Sequence, residues 1–377
     1  MLTTSPSDAK LETVCAPLNA KRILLVDLGS DYGGVEIYLD GLSDILISKA
    51  DLYAICSLPR LAEQLSKKGV HVTCIPMLSF RWFKVLRLLV ALAILPYYLV
   101  RYRIEAVQLN GFFESMLLPI IFLFGRAGVY TMHLPFEVDL YRWYRNPARF
   151  FPRLVSKLCV HLASQVICVS QTIGNIALQA ISSRKVRVIP NWVSLPEAES
   201  KRSCAIASSV RLLFVGRLER YKGLHLLIEA LRDLPGVSLT VVGDGLFRGE
   251  LERLSTGLPV TFVGFQSNTA RFYEDADIFV NPSLGPEGLP LVSLEAMGRG
   301  IPCLFSDLPV HCEISSDGVA AALFKTGDQR SLLEQLKRLL SNETRRRQIS
   351  EKAAASVQDK YSRQVAARAY LETFELV

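Results

Sequence analysis

No apolar run in this 377-residue chain reaches the roughly twenty residues that a membrane-spanning helix needs. The longest uncharged stretch, residues 88–100 (LLVALAILPYYLV), stops at thirteen and carries Pro96, so a buried or interfacial helix is expected there. Eight cysteines, at 15, 56, 74, 159, 168, 204, 303 and 312, never form a CxxC pair. That spacing excludes a short-spaced zinc site, and the scatter favours reduced thiols in a cytoplasm over a disulfide frame. A long block of one charge is also missing: 43 Lys and Arg against 36 Asp and Glu leave a net charge of +7, spread along the chain. The first twenty residues lack apolar periodicity and the apolar core of a secretory signal, and read as a mobile tail on an unexported protein.

What is present is a globular composition, half hydrophobic and 21% charged. At about 150 residues per domain, the length predicts two domains and an appendage. Lys21 to Leu28 (KRILLVDL) has strand length and composition, and is followed by Gly33 and Gly34 and then a helical pattern. Further strand candidates are 52–56, 70–75, 106–109, 128–132, 165–169 and 186–189, with helical segments between. Residues 190–209 (PNWVSLPEAESKRSCAIASS) are polar, broken by Pro190 and Pro196, and read as a linker. The alternation restarts with strands at 210–215, 237–242, 260–263, 278–280 and 302–306. The expectation is therefore α/β: two parallel-sheet domains facing a central cleft, with a tail at 1–20, a first domain at 21–192, a second at 193–355 and a closing helix at 356–377.

Two segments mix basic and aromatic residues. Arg81, Lys84, Arg87, Arg101 and Arg103 flank the apolar stretch, while Arg142, Arg145, Arg149 and Arg153 alternate with Tyr141, Trp143, Tyr144, Phe150 and Phe151. Such mixtures fit an anionic membrane surface or a nucleic acid, and equally a solvated basic face beside core aromatics.

Ligands of open α/β sheets sit beyond the carboxyl ends of the strands, so those loops hold the candidate site. After strand 210–215 comes GRLERYKG, placing Arg217 and Lys222 where a forked guanidinium and a point charge could neutralise a diphosphate; two surface cations would look the same. Beyond strand 237–242 stand Gly243 and Gly245, which permit a tight turn and close approach of a flat ring such as a nucleobase. A third glycine at dinucleotide spacing is lacking. Gly33 and Gly34 could turn their N–H groups toward a phosphate or an acceptor, and His133 lies on the same rim as a functional or a structural histidine. The other four histidines show no partner pattern. Asp275 and Asp277 form a DxD, discounted as a metal site because Asp277 opens a strand and Arg217 and Lys222 already supply positive charge.

The richest stretch is 281–307, NPSLGPEGLPLVSLEAMGRGIPCLFSD. Prolines and glycines break the backbone around Glu287, and a helix begins near Leu291 that carries Glu295 about one turn in. A helix N-terminus presents open N–H groups and a partial positive charge, so two carboxylates flanking it could hold the hydroxyls around a bound phosphate. A surface helix with two solvated glutamates is the alternative.

Taken together and in this order, VGRLERYKG, VVGDG, VTFVGF, YEDADIFVNPS and PEGLPLVSLEAMGRGIPCLFSD resemble glycosyltransferase family 4, whose members are retaining, nucleotide-sugar-dependent enzymes of the GT-B fold with two Rossmann-like domains. The resemblance covers nearly all of residues 21–377. It implies that Arg217 and Lys222 bind the donor diphosphate and Glu295 the ribose hydroxyls. By the same resemblance, Glu287 and nearby amides hold the sugar and phosphate, Gly33 and Gly34 form a mobile loop by donor and acceptor, and His133 sits beside the transferred sugar. Pro290 has no N–H, which leaves Gly288, Leu291 and Val292 as the amide donors. Leu289, Leu134, Trp192 and Ser194 depart from the family's usual residues.

The implied reaction is transfer of a sugar from a nucleoside diphosphate to an acceptor hydroxyl with retention, without a metal or other cofactor, in polysaccharide or glycolipid synthesis. A lipid-linked sugar or glycan is the expected acceptor, and nucleic acid is not an expected partner. The expected location is cytoplasmic, docked on the inner face of a membrane. Rival readings are an epimerase or phosphorylase on the same fold, and a non-enzymatic basic binding protein.

Overall fold

A computed structural model describes residues 20–29, 33–75, 84–111, 113–134, 150–194 and 209–376. The N-terminal tail, Arg81, the basic residues from 142 to 149 and most of the linker, 195–208, fall outside the described residues.

The chain alternates strand and helix. The first series is β1 (Lys21–Asp27), α1 (Gly34–Leu46), β2 (Ala50–Cys56), α2 (Pro59–Lys67), β3 (His71–Cys74), α3 (Lys84–Arg101), β4 (Ala106–Leu109), α4 (Leu118–Leu123), β5 (Ala127–Met132), α5 (Phe150–Val160), β6 (Gln165–Cys168), α6 (Gln171–Ala177) and β7 (Val186–Val188). The second is β8 (Val210–Val215), α7 (Leu224–Ala230), β9 (Val237–Val242), α8 (Arg248–Leu254), β10 (Val260–Gly264), α9 (Ala270–Asp275), β11 (Ile278–Asn281), α10 (Leu291–Gly298), β12 (Cys303–Ser306), α11 (Pro309–Ser315), β13 (Ala322–Phe324), α12 (Gln329–Ser341), α13 (Glu343–Lys360) and α14 (Arg363–Thr373).

Two sheets result, one in the order β3-β2-β1-β4-β5-β6-β7 and one in the order β10-β9-β8-β11-β12-β13. The pairings flanking β1 and β8 are all parallel. Ile23, Leu24, Leu25 and Val26 are fully buried in succession, as a strand covered on both faces requires. In each sheet the order reverses beside the first strand of its series, at β1/β4 and β8/β11, which is the doubly wound, Rossmann-like pattern.

By internal contacts the chain forms two compact units. One takes the chain up to Tyr130 with Leu158–Gln165 and Tyr370–Val377; the other takes Thr131–Lys157 and Val166–Ala369. In the first, the Tyr38 and Tyr370 hydroxyls share a buried 2.7 Å hydrogen bond. The core of the second is built on Leu212, Phe214, Leu239, Val241, Ile278 and Val280 under α7 and α12.

Pro96 lies within α3, which continues to Arg101. The strand β13 was not anticipated from the sequence.

Candidate functional site

The switch between β8 and β11 positions the first candidate residues. Past Val215 the chain runs through Arg217 into a 3-10 turn, Arg220–Lys222, and Gly223 then opens α7 in the left-handed region at φ +70°. A Cβ on Gly223 would stand 1.9 Å from the Pro282 carbonyl oxygen, so only glycine lets the β8 and β11 loops close on each other. That closure brings the Lys222 Nζ to 2.5 Å from the Glu287 Oε1, with both side chains largely buried at 13% and 11% exposure.

A buried polar network carries Glu287. The Ser283 hydroxyl lies 2.6 Å from Glu287 Oε1 and 2.8 Å from Asn281 Oδ1, and can donate to one at a time. Asn281 Nδ2 is 3.0 Å from the Ser293 hydroxyl and 3.3 Å from His311 Nε2. His311 Nδ1 is 2.9 Å from the Ser306 carbonyl, so Nδ1 carries the proton and Nε2 accepts from Asn281. Burial pushes His311 down to about 4, against an upward pull from Glu287. For Glu287 burial works upward, but the charge of Lys222 and the hydrogen bonds from Lys222 and Ser283 outweigh it and hold the carboxyl below its usual range.

The loop from Glu287 enters α10 through Pro290, whose side chain cannot cap it. Ser293 and Leu294 amides bond to the Pro290 carbonyl. Within the described residues, the amides of Gly288, Leu291 and Val292 form no hydrogen bond, which leaves a polar helix entrance beside the Lys222–Glu287 pair. A Cβ on Gly288 would lie 1.9 Å from the His133 carbonyl oxygen, so His133 is brought against this loop. Burial lowers the His133 imidazole to about 4, which keeps it neutral near pH 7. Asn191 Nδ2 donates to the Leu289 carbonyl at 3.3 Å and ties the same loop to the end of the β7 segment.

Arg217 is exposed and reaches the Tyr221 hydroxyl at 3.2 Å. Glu295, on α10, is raised above its usual value by burial, while a hydrogen bond from Tyr273 and the charge of Arg299 pull it down.

Three expectations need correction. Gly243 and Gly245 are required by chain meeting chain: a Cβ on Gly243, which has φ +133°, would lie 1.9 Å from the Gly216 carbonyl oxygen, and one on Gly245 2.4 Å from that of Leu218. Close approach to a flat ring is therefore not what demands them. In the other unit, the Gly33 amide does not point to open space; it donates to the Glu36 Oε2 at 2.7 Å, because an acid at the third helical position closes a capping box on α1. Gly34 opens that helix. The third correction is His311, which has partners on both ring nitrogens and sits in the network under Glu287.

Asp277 is held by Arg211, whose Nε and Nη2 reach its two oxygens at 3.2 and 3.1 Å. This ion pair lies at the amino ends of β8 and β11, the opposite rim from Lys222 and Glu287.

Sequence reasoning missed Asn281, Ser283, Ser293, Ser306 and Asn191. A signal existed in the first two: polar residues closing an otherwise apolar strand, in Asn281-Pro282-Ser283. The remaining three look like ordinary polar positions until the loops are folded together.

With Lys222, Glu287, open amides and a helix N-terminus together, the site can accept an anion flanked by hydroxyls. Residues 32–196 match the family "Glycosyltransferase Family 4" and residues 198–356 match "Glycosyl transferases group 1". The lipopolysaccharide core biosynthesis glycosyltransferase LpsE of Rhizobium meliloti is 29% identical over 196 residues, 50% of this chain and 57% of that protein. Phosphatidyl-myo-inositol mannosyltransferase of Mycobacterium leprae is 31% identical over 230 residues, 56% of this chain and 59% of that protein. The chain thus spans less than two thirds of the length of these curated relatives. Among solved structures, Anabaena Alr3699/HepE in complex with UDP superposes with a TM-score of 0.78 at 22% identity, over 94% of this chain and 100% of that one. Sucrose-phosphate synthase from Thermosynechococcus elongatus superposes with a TM-score of 0.81 at 18% identity, over 94% and 98%. At these identities the likeness establishes a shared fold, GT-B.

Proposed function

This chain belongs to glycosyltransferase family 4, and on that premise we propose that it transfers a sugar from a nucleoside-diphosphate donor to an acceptor hydroxyl, with retention at the anomeric carbon. The observation that carries the reading is the Lys222–Glu287 pair beside the open amides of Leu291 and Val292. Without a donor the two charges satisfy each other. An incoming diphosphate would compete for Lys222 and release the Glu287 carboxylate to accept hydrogen bonds from sugar hydroxyls.

In this mechanism charge develops on the leaving diphosphate as the glycosidic bond breaks, and Arg217, Lys222 and the entrance of α10 stabilise it. His133, neutral near pH 7, would act at the sugar as a hydrogen-bond partner. Glu295 would take the ribose hydroxyls. No covalent nucleophile is assigned, so attack comes from the same face and the leaving phosphate accepts the acceptor's proton. We place the enzyme in polysaccharide or glycolipid synthesis with a lipid-linked sugar or glycan as acceptor. This follows the curated relatives, whose names include lipopolysaccharide core biosynthesis and a phosphatidylinositol mannosyltransferase. The free thiols among the described residues, Cys56, Cys74, Cys159, Cys168, Cys303 and Cys312, accord with a cytoplasmic site of action, and we propose docking at the inner face of the membrane.

Thermal shift against UDP, GDP and ADP, followed by transfer assays with sugars of the stabilising base and proton NMR of the product anomer, tests this reading. Wild-type transfer rates in both Arg217→Ala and Lys222→Ala would sink it.

A further inference from the structure

Apart from its charged ends and the buried Arg87, the helix α3 is apolar all the way round, yet only half of it is covered. At roughly 100° per residue, Arg87, Leu88, Ala91, Leu95, Tyr98 and Leu99 share one face, and all are buried. Val85, Leu89 and Val100 share the opposite face and are 58%, 55% and 63% exposed, with Leu86 and Tyr97 beside them. A helix without a polar face is ordinarily enclosed, so an uncovered apolar half calls for a surface to lie on.

The helix α4 packs against α3 and adds to that demand. Its end leaves Phe122 at 60%, Leu123 at 80% and Phe124 at 41% exposure. Two contacting helices therefore both leave large apolar side chains in water, within one compact unit.

Charge selects the occupant. From 84 to 104 the chain has no Asp or Glu, only Lys84, Arg87, Arg101 and Arg103, and between Glu114 and Glu137 the one charge of either sign is Arg126. Tyr97, Tyr98 and Tyr102 cluster where α3 ends, with ring centroids 5.1 to 6.1 Å apart, and Arg101 lies 5.6 Å over Tyr102. Apolar residues edged by tyrosines and arginines match the layering of an anionic bilayer: acyl chains, then interface, then phosphate. Among the described residues no helix is long and apolar enough to cross a membrane, so α3 would lie in the interface rather than span it.

We infer that the exposed faces of α3 and α4 form a lipid-docking surface that inserts Val85, Leu89, Val100, Phe122 and Leu123 into an anionic leaflet, with Arg101 and Arg103 on the headgroups. This sharpens the proposed membrane docking by resting it on apolar insertion rather than on charge alone. It is independent of the transfer chemistry, because nucleotide binding in the other unit can be followed separately.

The test is co-sedimentation of the full chain with phosphatidylcholine vesicles containing 0% or about 30% phosphatidylglycerol, for wild type, Leu89→Ser/Leu123→Ser and Arg101→Glu, alongside the thermal shift by UDP. The expected result is binding of wild type to the anionic vesicles, persisting in part at high salt. The serine pair should weaken it about tenfold or more and Arg101→Glu several-fold, with the nucleotide shift unchanged. Serine is chosen at exposed positions so that folding is spared, and an intact melting transition confirms it. The inference is overturned if wild type ignores both vesicle types, if the serine pair binds as wild type does, or if sedimentation velocity shows a dimer that the serine pair dissolves, since a second copy would then cover this face.

Discussion

Lys222 and Glu287 are 65 positions apart in the chain and 2.5 Å apart in the fold. The contact depends on Gly223 letting two strand-end loops touch. A buried ion pair broken on one side leaves a charge without compensation and costs about 3–5 kcal/mol. Lys222→Met should therefore lower the melting temperature clearly and reduce transfer by roughly 10²-fold or more. Adding Glu287→Gln should restore much of the stability and none of the activity. If the double variant were as unstable as the single one, the pair would not be the reason.

Gly288 and Gly249 make an opposed pair of substitutions. A Cβ at 288 meets the His133 backbone oxygen at 1.9 Å, whereas one at 249, in α8, meets nothing within 4 Å. Gly288→Ala is expected to destabilise by about 1–3 kcal/mol and to impair transfer, because backbone must move. Gly249→Ala should stabilise by about 0.4–1 kcal/mol through the unfolded state. Denaturant melts of both variants decide the matter, and equal effects would count against it.

Acid should weaken the fold through histidine. His133 and His311 both sit at about 4, below their ordinary 6.5, because burial disfavours the charged form. A depressed folded value means the contribution is complete above pH 6.5 and is lost as pH falls toward 4. Glu287, also depressed, acts in the same sense at lower pH. Melting temperature should fall from pH 7 to pH 4, and NMR titration should find two imidazoles still neutral at pH 5. A flat melting profile with all five histidines titrating near 6.5 would refute this.

Asp27 should behave in the opposite way. It ends β1, and burial raises it to about 6, partly offset by the Gly29 amide at 2.8 Å and by Arg87. Among the described residues its Oδ2 has no hydrogen-bond partner. A raised folded value gives stability that is complete below pH 4 and is lost as pH rises through 6. Asp27→Asn keeps an acceptor for Gly29 and removes the charge, so it should raise the melting temperature at pH 8 and do little at pH 4. A lower melting temperature at pH 8 would show that the charge is needed.

Turnover is expected to survive chelation. Asp277 is engaged by Arg211 on the rim away from Lys222, and Arg217 and Lys222 can meet the diphosphate themselves. Steady-state rates with and without EDTA check it; activity returning only on addition of magnesium or manganese would reverse the expectation.

Much of the architecture was legible in one dimension. The strands at 210–215, 237–242 and 106–109 were read with their observed bounds, because apolar runs between glycine and proline breaks have few other readings. Placing Arg217, Lys222 and Glu287 at carboxyl ends of strands needed only the alternation of elements and the rule that ligands bind there. Motif order identified the family.

Contact between loops was not legible, because it depends on backbone closure at single atoms. Nothing in VVGDG says that its glycines face Gly216 and Leu218 rather than a ligand, and nothing local says that Glu36 would take the Gly33 amide. His311 looked isolated because its partners, Asn281 and Ser306, come from two other segments. Chain order and composition thus determined which elements form and which rim holds the chemistry. Which charges meet, which amides stay open and which apolar faces stay uncovered were decided only when tertiary packing removed water from some groups and left others exposed.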